Sequence, residues 1–300
     1  MKYKILWFED NEEFIASLEK RIKRYIDDLG FEPIIIPKHD DSEVDVLLSS
    51  IEEYNLILMD YNLNSGPTAK GEGSKILKEI RNNNLYTEVV FYSSPKNIEI
   101  ARKEGFDGVF FTEKDQLYDK ITKVITLTLK KNQDINNIRG LVIAESIEIE
   151  VKIEKLILSY FNFDDERLEV FQTIFDGKSE VVQAKKKCDL INKISKERIS
   201  SLNGILQHNP LQQEEKEKIK EKIMAIEKFR DLAKDIETDV IEIRNVLAHT
   251  IESTEQKNTL ISKINKRATI ITVNDEWCKE TRKKFKLHSK NLDEAGAHLT

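Results

Sequence analysis

The residues best suited to chemistry fall into two sets. Glu9, Asp10, Asp60, Ser93 and Lys114 form the first, and Arg244 with His249 the second. Members of the first set follow short apolar runs. Glu9-Asp10 follows KILWF (Lys4–Phe8), Asp60 follows NLILM (Asn55–Met59), Ser93-Ser94 follows EVVFY (Glu88–Tyr92), and Lys114 comes shortly after GVFFT (Gly108–Thr112). If those runs are parallel strands, their carboxyl ends share one edge, where ligands of such sheets bind. Three carboxylates gathered there repel one another unless a cation sits among them, and hard oxygen donors suit Mg²⁺. A hydroxyl and a lysine nearby could hold the oxygens of a phosphoryl group.

The second set lies in TDVIEIRNVLAHT (Thr238–Thr250). On an ideal helix Arg244 and His249 differ by about 140° in azimuth and about 7.5 Å in rise, which an arginine arm can cover. A histidine gives or takes a proton near neutral pH. An arginine stays charged and can stabilise a phosphate transition state. Together they could cleave RNA by letting a 2′-hydroxyl attack its own phosphate. In the plainer alternative, Arg244 makes a surface salt bridge with an acid such as Glu242 or Asp239, and His249 caps the helix. Val240, Ile243, Val246 and Leu247 are the expected buried stripe.

Two kinds of element must position these sets. Up to residue 130 apolar runs alternate with helix-spaced segments, and four of the five prolines fall there. The runs named above, with EPIIIP as a further strand, give five strands. Asn11–Asp28, Asp45–Glu53, Ser74–Arg81, Lys96–Glu104 and Leu117–Lys130 are the expected helices. Alternation of this kind predicts an α/β fold with a doubly wound, five-stranded parallel sheet. Residues 131–138 are polar and unpatterned, a linker or a helix extension. Residues 139–300 form the second domain. This part of the chain reads as all-α, with helices at Ile138–Phe161, Asp165–Phe175, Glu180–Ile194, Glu214–Ile236, Thr238–Thr250 and Asp275–Leu292. Ser200–Gln213 reads as a long loop and Ala268–Val273 as one strand of a hairpin. Ile147, Ile149, Val151 and Ile153 alternate with charged residues in the strand period. The absence of breakers over that stretch, apart from Gly140 near its start, nevertheless favours helix.

Composition narrows the classes. Of 300 residues, 34% are charged and 39% apolar, and mean hydropathy is −0.49. Neither a membrane protein nor wholesale disorder fits. No run approaches the roughly 18 apolar residues of a membrane span, and the chain reads as cytoplasmic. Cys188 and Cys278 are too few for a disulfide framework or a cysteine-rich zinc site. Residues 1–130 hold 18 Lys and Arg against 24 Asp and Glu, and the remainder holds 30 of each. Bulk charge therefore does not advertise nucleic-acid binding. His39, His208, His288 and His298 are assigned no role, and Trp7 is read as packing.

FEDN (Phe8–Asn11), LILMDYNL (Leu56–Leu63), YSS (Tyr92–Ser94) and Lys114-Asp115 together resemble the response-regulator receiver domain, over about residues 1–130. The resemblance implies that Asp60 is the phosphoacceptor. It implies that Glu9, Asp10, Asp60 and the backbone carbonyl of Asn62 hold Mg²⁺, that Ser93 is the switch hydroxyl and that Lys114 pairs with the phosphoryl group. A histidine kinase or a small phosphodonor would supply the phosphate. The sequence departs from that pattern twice. The loop after Asp60 is longer, with Gly-Glu-Gly at Gly71–Gly73, and Gly108 and Lys114 lie two positions further apart than usual.

RNVLAH, in a helical domain, is similar to the R-x4-H signature of HEPN domains, many of which are RNases. By that resemblance Arg244 and His249 are catalytic without metal, Asn245 supports them, RNA is the substrate, and the site forms across a homodimer. The expected protein is thus a two-component-type regulator whose receiver controls a HEPN-like helical bundle with RNase activity. The rival reading is a non-catalytic signalling or dimerisation module that binds a protein.

Overall fold

A computed structural model describes residues 1–39, 49–63, 72–132, 135–160, 180–253, 258–262 and 269–299. The chain divides into two compact units, Met1–Asn132 and Gln133–Thr300.

In the first unit five strands, β1 (Lys2–Phe8), β2 (Glu32–Lys38), β3 (Leu56–Asp60), β4 (Val89–Ser93) and β5 (Val109–Glu113), form one all-parallel sheet of order β2-β1-β3-β4-β5. Its described helices are α1 (Glu12–Asp28), α2 (Glu72–Asn82), α3 (Pro95–Lys103) and α4 (Leu117–Asn132). Strand alternation sorts the core into two layers. Tyr3, Ile5, Trp7, Leu58, Val90 and Tyr92 pack with Ile22 and Ile26 of α1 and Ile121 and Ile125 of α4. Leu6, Phe8, Ile57, Met59, Val89 and Phe91 pack with Ile76 and Ile80 of α2 and Ile98 of α3. Helices therefore cover both faces. Because β3 and β4 are buried on both sides, they read as unbroken apolar runs rather than alternating ones. Asn11 caps α1 by accepting the Phe14 N–H at 3.0 Å, as short polar side chains do at helix starts.

Pro33 and Pro37 lie in β2, at the sheet's edge, where strand prolines are tolerated. Of the expected helix Asp45–Glu53, residues 45–48 lie outside the described ones, and Ile51–Glu53 is a 3-10 turn.

The second unit is mostly helical. Its described helices are α5 (Ile135–Tyr160), α6 (Glu180–His208), α7 (Gln213–Ile236), α8 (Ile243–His249) and α9 (Asp275–Leu299), and a π-helical turn, Glu237–Glu242, joins α7 to α8. It is not purely helical. Thr250–Glu252 (β6), Thr259–Ser262 (β7) and Thr269–Thr272 (β8) form an antiparallel sheet of order β6-β7-β8, so the expected hairpin strand pairs with β7 in a sheet of three. The expected loop at Ser200–Gln213 is also corrected. Helix α6 continues through Gly204 to His208 and stops before Pro210, which disfavours helix in the residue preceding it. The expected helix Asp165–Phe175 lies outside the described residues. Residues 135–138 belong to α5.

Candidate functional site

Parallel registry brings the first set of residues to one sheet edge. Phe8 pairs with Met59, Asp60 with Tyr92, and Ser93 with Glu113. The residues just beyond these strand ends therefore surround one cleft of about 570 Å³, lined by Glu9, Asp10, Asn11, Glu12, Glu13, Asp60, Asn62 and Lys114. Glu9, Asp10 and Asp60 each offer an oxygen within 4.8 Å of the others. β5 runs on to Glu113, one residue past the expected strand end, and Lys114 opens the 3-10 turn after it.

Lys114 sits between the acids. Its Nζ lies 2.5 Å from Asp60 Oδ2 and 3.4 Å from Glu9 Oε2. The rings of Phe14 and Tyr92 stand 5.1 and 5.6 Å from the same nitrogen, within cation–π range. Glu9 is fully buried. Its Oε1 accepts the Asn11 N–H at 3.1 Å and its Oε2 accepts the Tyr92 hydroxyl at 2.9 Å. Asp60 Oδ1 accepts the Asn62 N–H at 3.3 Å. Ser93 is buried, and its Oγ accepts Asn97 Nδ2 at 3.1 Å.

The electrostatics derive from this packing. Burial, then the Asp60 charge, push the Glu9 carboxyl above its ordinary value. Burial raises Asp60 too, against the downward pull of Lys114. Burial alone would lower the Lys114 ammonium, but its bond to Asp60 and the charges of both acids hold it above the usual lysine value. Two buried, mutually repelling carboxylates, with a third beside them and a lysine between, suit a hard divalent cation that would take over the neutralising role. Asn62 lines the same cleft.

Helix α2 touches the site through its backbone. Gly73 N–H donates to the Tyr61 carbonyl at 3.1 Å. A Cβ at Gly73 would fall 1.9 Å from the Asp60 carbonyl oxygen. Only glycine permits this approach.

The second set is arranged otherwise than expected. Arg244 is buried and its Nη1 lies 2.9 Å from Glu150 Oε1 on α5, not paired to Glu242 or Asp239. Asp239 instead binds Lys284 at 2.7 Å and the buried His288 at 3.1 Å. His249 stands exposed at the end of α8, and Asn245 is half-buried. The π turn accounts for the altered stripe. A wider turn admits an extra residue and rotates the downstream positions by about 100°. Val240, Ile241 and Leu247 are buried, Ile243 and Val246 only half-buried, and Arg244 takes an inner position.

Four contributors escape the sequence reading: Tyr92, Trp7, Gly73 and Glu150. Gly73 carries a signal in its Gly-Glu-Gly context. Glu150 carries none, being 94 positions from its partner.

No family model matches the chain, and no curated protein matches it. Among solved structures, a yeast Spc42 trimeric coiled-coil fusion is similar over 43% of this chain and 80% of that one, at 16% identity and a TM-score of 0.32. A score that low informs neither fold nor function.

Proposed function

We propose that the first unit is a receiver that takes a phosphoryl group on Asp60 with Mg²⁺ bound by Glu9, Asp10, Asp60 and the Asn62 carbonyl. The observation that carries this reading is the convergence of Glu9, Asp10 and Asp60 around Lys114 at the carboxyl edge of the sheet. The bound cation would supply charge neutralisation, so that an anionic donor can approach the Asp60 carboxylate. Asp60 Oδ attacks phosphorus, the P–O or P–N bond of the donor breaks, and the leaving group departs with its electron pair. Lys114, already held between the acids, pairs with the new phosphoryl oxygens, and Ser93 hydrogen-bonds one of them. The donor would be a histidine kinase or a small phosphodonor. Treatment with acetyl phosphate and Mg²⁺ followed by mass spectrometry tests the reading. Wild type should gain one phosphoryl group and Asp60→Asn none; an unlabelled wild type, beside a labelled control receiver, refutes it.

In the same reading the second unit is a HEPN-like output domain that cuts RNA without metal, as a homodimer. His249 is the proton-transfer group, Arg244 the cationic one and Asn245 their support. The exposure of His249 supports access to a substrate. The buried Arg244–Glu150 pair favours the second reading, a non-catalytic module that binds a protein, because it gives Arg244 a structural occupation. Incubation of RNA with wild type and His249→Ala separates the two.

A further inference from the structure

Behind the acidic cleft a buried hydrogen-bond chain crosses the sheet. Trp7 Nε1–H donates to the Tyr92 hydroxyl at 2.7 Å, and that hydroxyl donates to Glu9 Oε2 at 2.9 Å. All three residues are buried. Tyr92 belongs to the layer packed on α1 and α4, so strand alternation points it away from Ser93. Tyr92 pairs with Asp60 in the β3–β4 register, which puts its side chain on the same face of the sheet as Asp60, and its hydroxyl reaches Glu9. Its ring also walls Lys114. A buried carboxylate oxygen without a donor pays a desolvation penalty, whereas a phenylalanine here would keep the ring's packing but not the bond. The hydroxyl fixes Glu9.

We propose that Tyr92 is a positioning residue of this site. Its hydroxyl holds Glu9 Oε2, leaves the carboxylate oriented toward the cleft by Asn11 on Oε1, and links the occupancy of the cleft to the Trp7 indole. This rests on the cation reading of the cleft. Partners that orient metal-binding carboxylates are typically worth about 10–100-fold in metal affinity. A cation that draws charge from Glu9 weakens the acceptor on which the Tyr92 hydroxyl, and through it the Trp7 N–H, depends.

The test uses the full chain carrying Trp277→Phe, so that Trp7 is the sole tryptophan and can be excited selectively. Mg²⁺ affinity is measured by calorimetry, and Trp7 emission is followed in parallel. Wild type should bind Mg²⁺ and change its emission. Tyr92→Phe, which keeps the ring beside Lys114, should bind about tenfold more weakly and lose the emission response at saturation. In a Glu9→Gln background the same substitution should cause no further loss of affinity, since Tyr92 acts through Glu9. Unchanged affinity and emission response in Tyr92→Phe, with normal Mg²⁺ binding in wild type, overturn the proposal and leave the cation site standing. Equal losses in both backgrounds also overturn it. No Mg²⁺ binding by wild type overturns the cation reading itself, and the proposal with it. Circular dichroism checks folding. If Tyr92→Phe is unfolded, Trp7→Phe replaces it in the calorimetry, and an unchanged affinity there counts against the proposal.

Discussion

Lys114 and Asp60, which come from the turn after β5 and the end of β3, form an ion pair of 2.5 Å at the carboxyl edge of the sheet. The same ammonium lies 3.4 Å from Glu9. This one lysine offsets two buried carboxylates, and both remain above their ordinary values.

That imbalance sets a pH dependence. Unfolded, Glu9 and Asp60 titrate near 4.5 and 3.8. Folded, both are raised, so the native chain keeps protons that the unfolded chain has released. Their contribution to stability is fully present below the unfolded values and is lost as pH rises through the folded ones. Lys114, held above 10.5, stays charged throughout that window. Mg²⁺ favours the ionised acids, so its stabilising effect should grow as pH rises through the same window. Calorimetric melts with and without Mg²⁺ check this; stabilisation by Mg²⁺ that shrinks as pH rises there would contradict it.

Gly73→Ala should damage the site from behind. Its new methyl group must move the Asp60 carbonyl or the start of α2, since 1.9 Å is far inside contact distance. A displacement near 1 Å at a reacting group can cost about 10²-fold in rate. Acetyl phosphate labelling of Asp60 should slow by about that factor while secondary structure persists by circular dichroism. Labelling at the wild-type rate would show that the backbone gives way harmlessly.

Arg244→Ala should unfold the helical unit more readily, whatever its effect on RNA. It removes the Arg244 Nη1 bond to Glu150 Oε1, whose side chain is only 14% exposed. Removing one partner of a largely buried pair costs up to about 3–5 kcal/mol. Urea denaturation should show that loss, and Arg244→Met with Glu150→Leu should recover most of it. Arg244→Ala is thus a poor test of catalysis by itself.

His249→Ala is the cleaner variant, because the side chain is exposed. Stability should stay within about 0.5 kcal/mol of wild type. If the RNase reading holds, RNA cleavage should fall by about 10²–10⁴-fold and wild-type cleavage should persist in EDTA. Full activity in His249→Ala would end that reading.

Legibility in the sequence tracks the range of the interaction. Glu9, Asp10 and Asp60 can be placed together because each terminates a short apolar run, and parallel strands align their ends. Lys114 is harder to place, since spacing alone does not tell whether the residues just before it belong to a strand or a loop; here β5 runs up to Glu113. Ser200 and Gly204 resemble breakers, yet Leu202 is buried and α6 continues past them, so packing overrides local preference. The strand-like alternation of Ile147 to Ile153 has a physical source as well. Ile149 and Ile153 are buried while Ile147 and Val151 are exposed, so α5 is apolar on two faces. Tyr92 escapes for another reason: alternation puts it on the face of Asp60, but in a strand buried on both sides its ring reads as core packing and nothing in the spacing marks its hydroxyl.

The edge strand β2 has one more consequence. Glu32 N–H bonds inward to the Met1 carbonyl, so the even positions of β2 aim their amides at β1 and the odd positions aim outward. Two of the three odd positions, Pro33 and Pro37, have no amide hydrogen, and only Ile35 remains to donate. A neighbouring chain seeking to extend the sheet would find that rim almost devoid of donors. Cross-β aggregation through this border is therefore disfavoured by covalent structure, even during partial unfolding that leaves β1 and β2 paired.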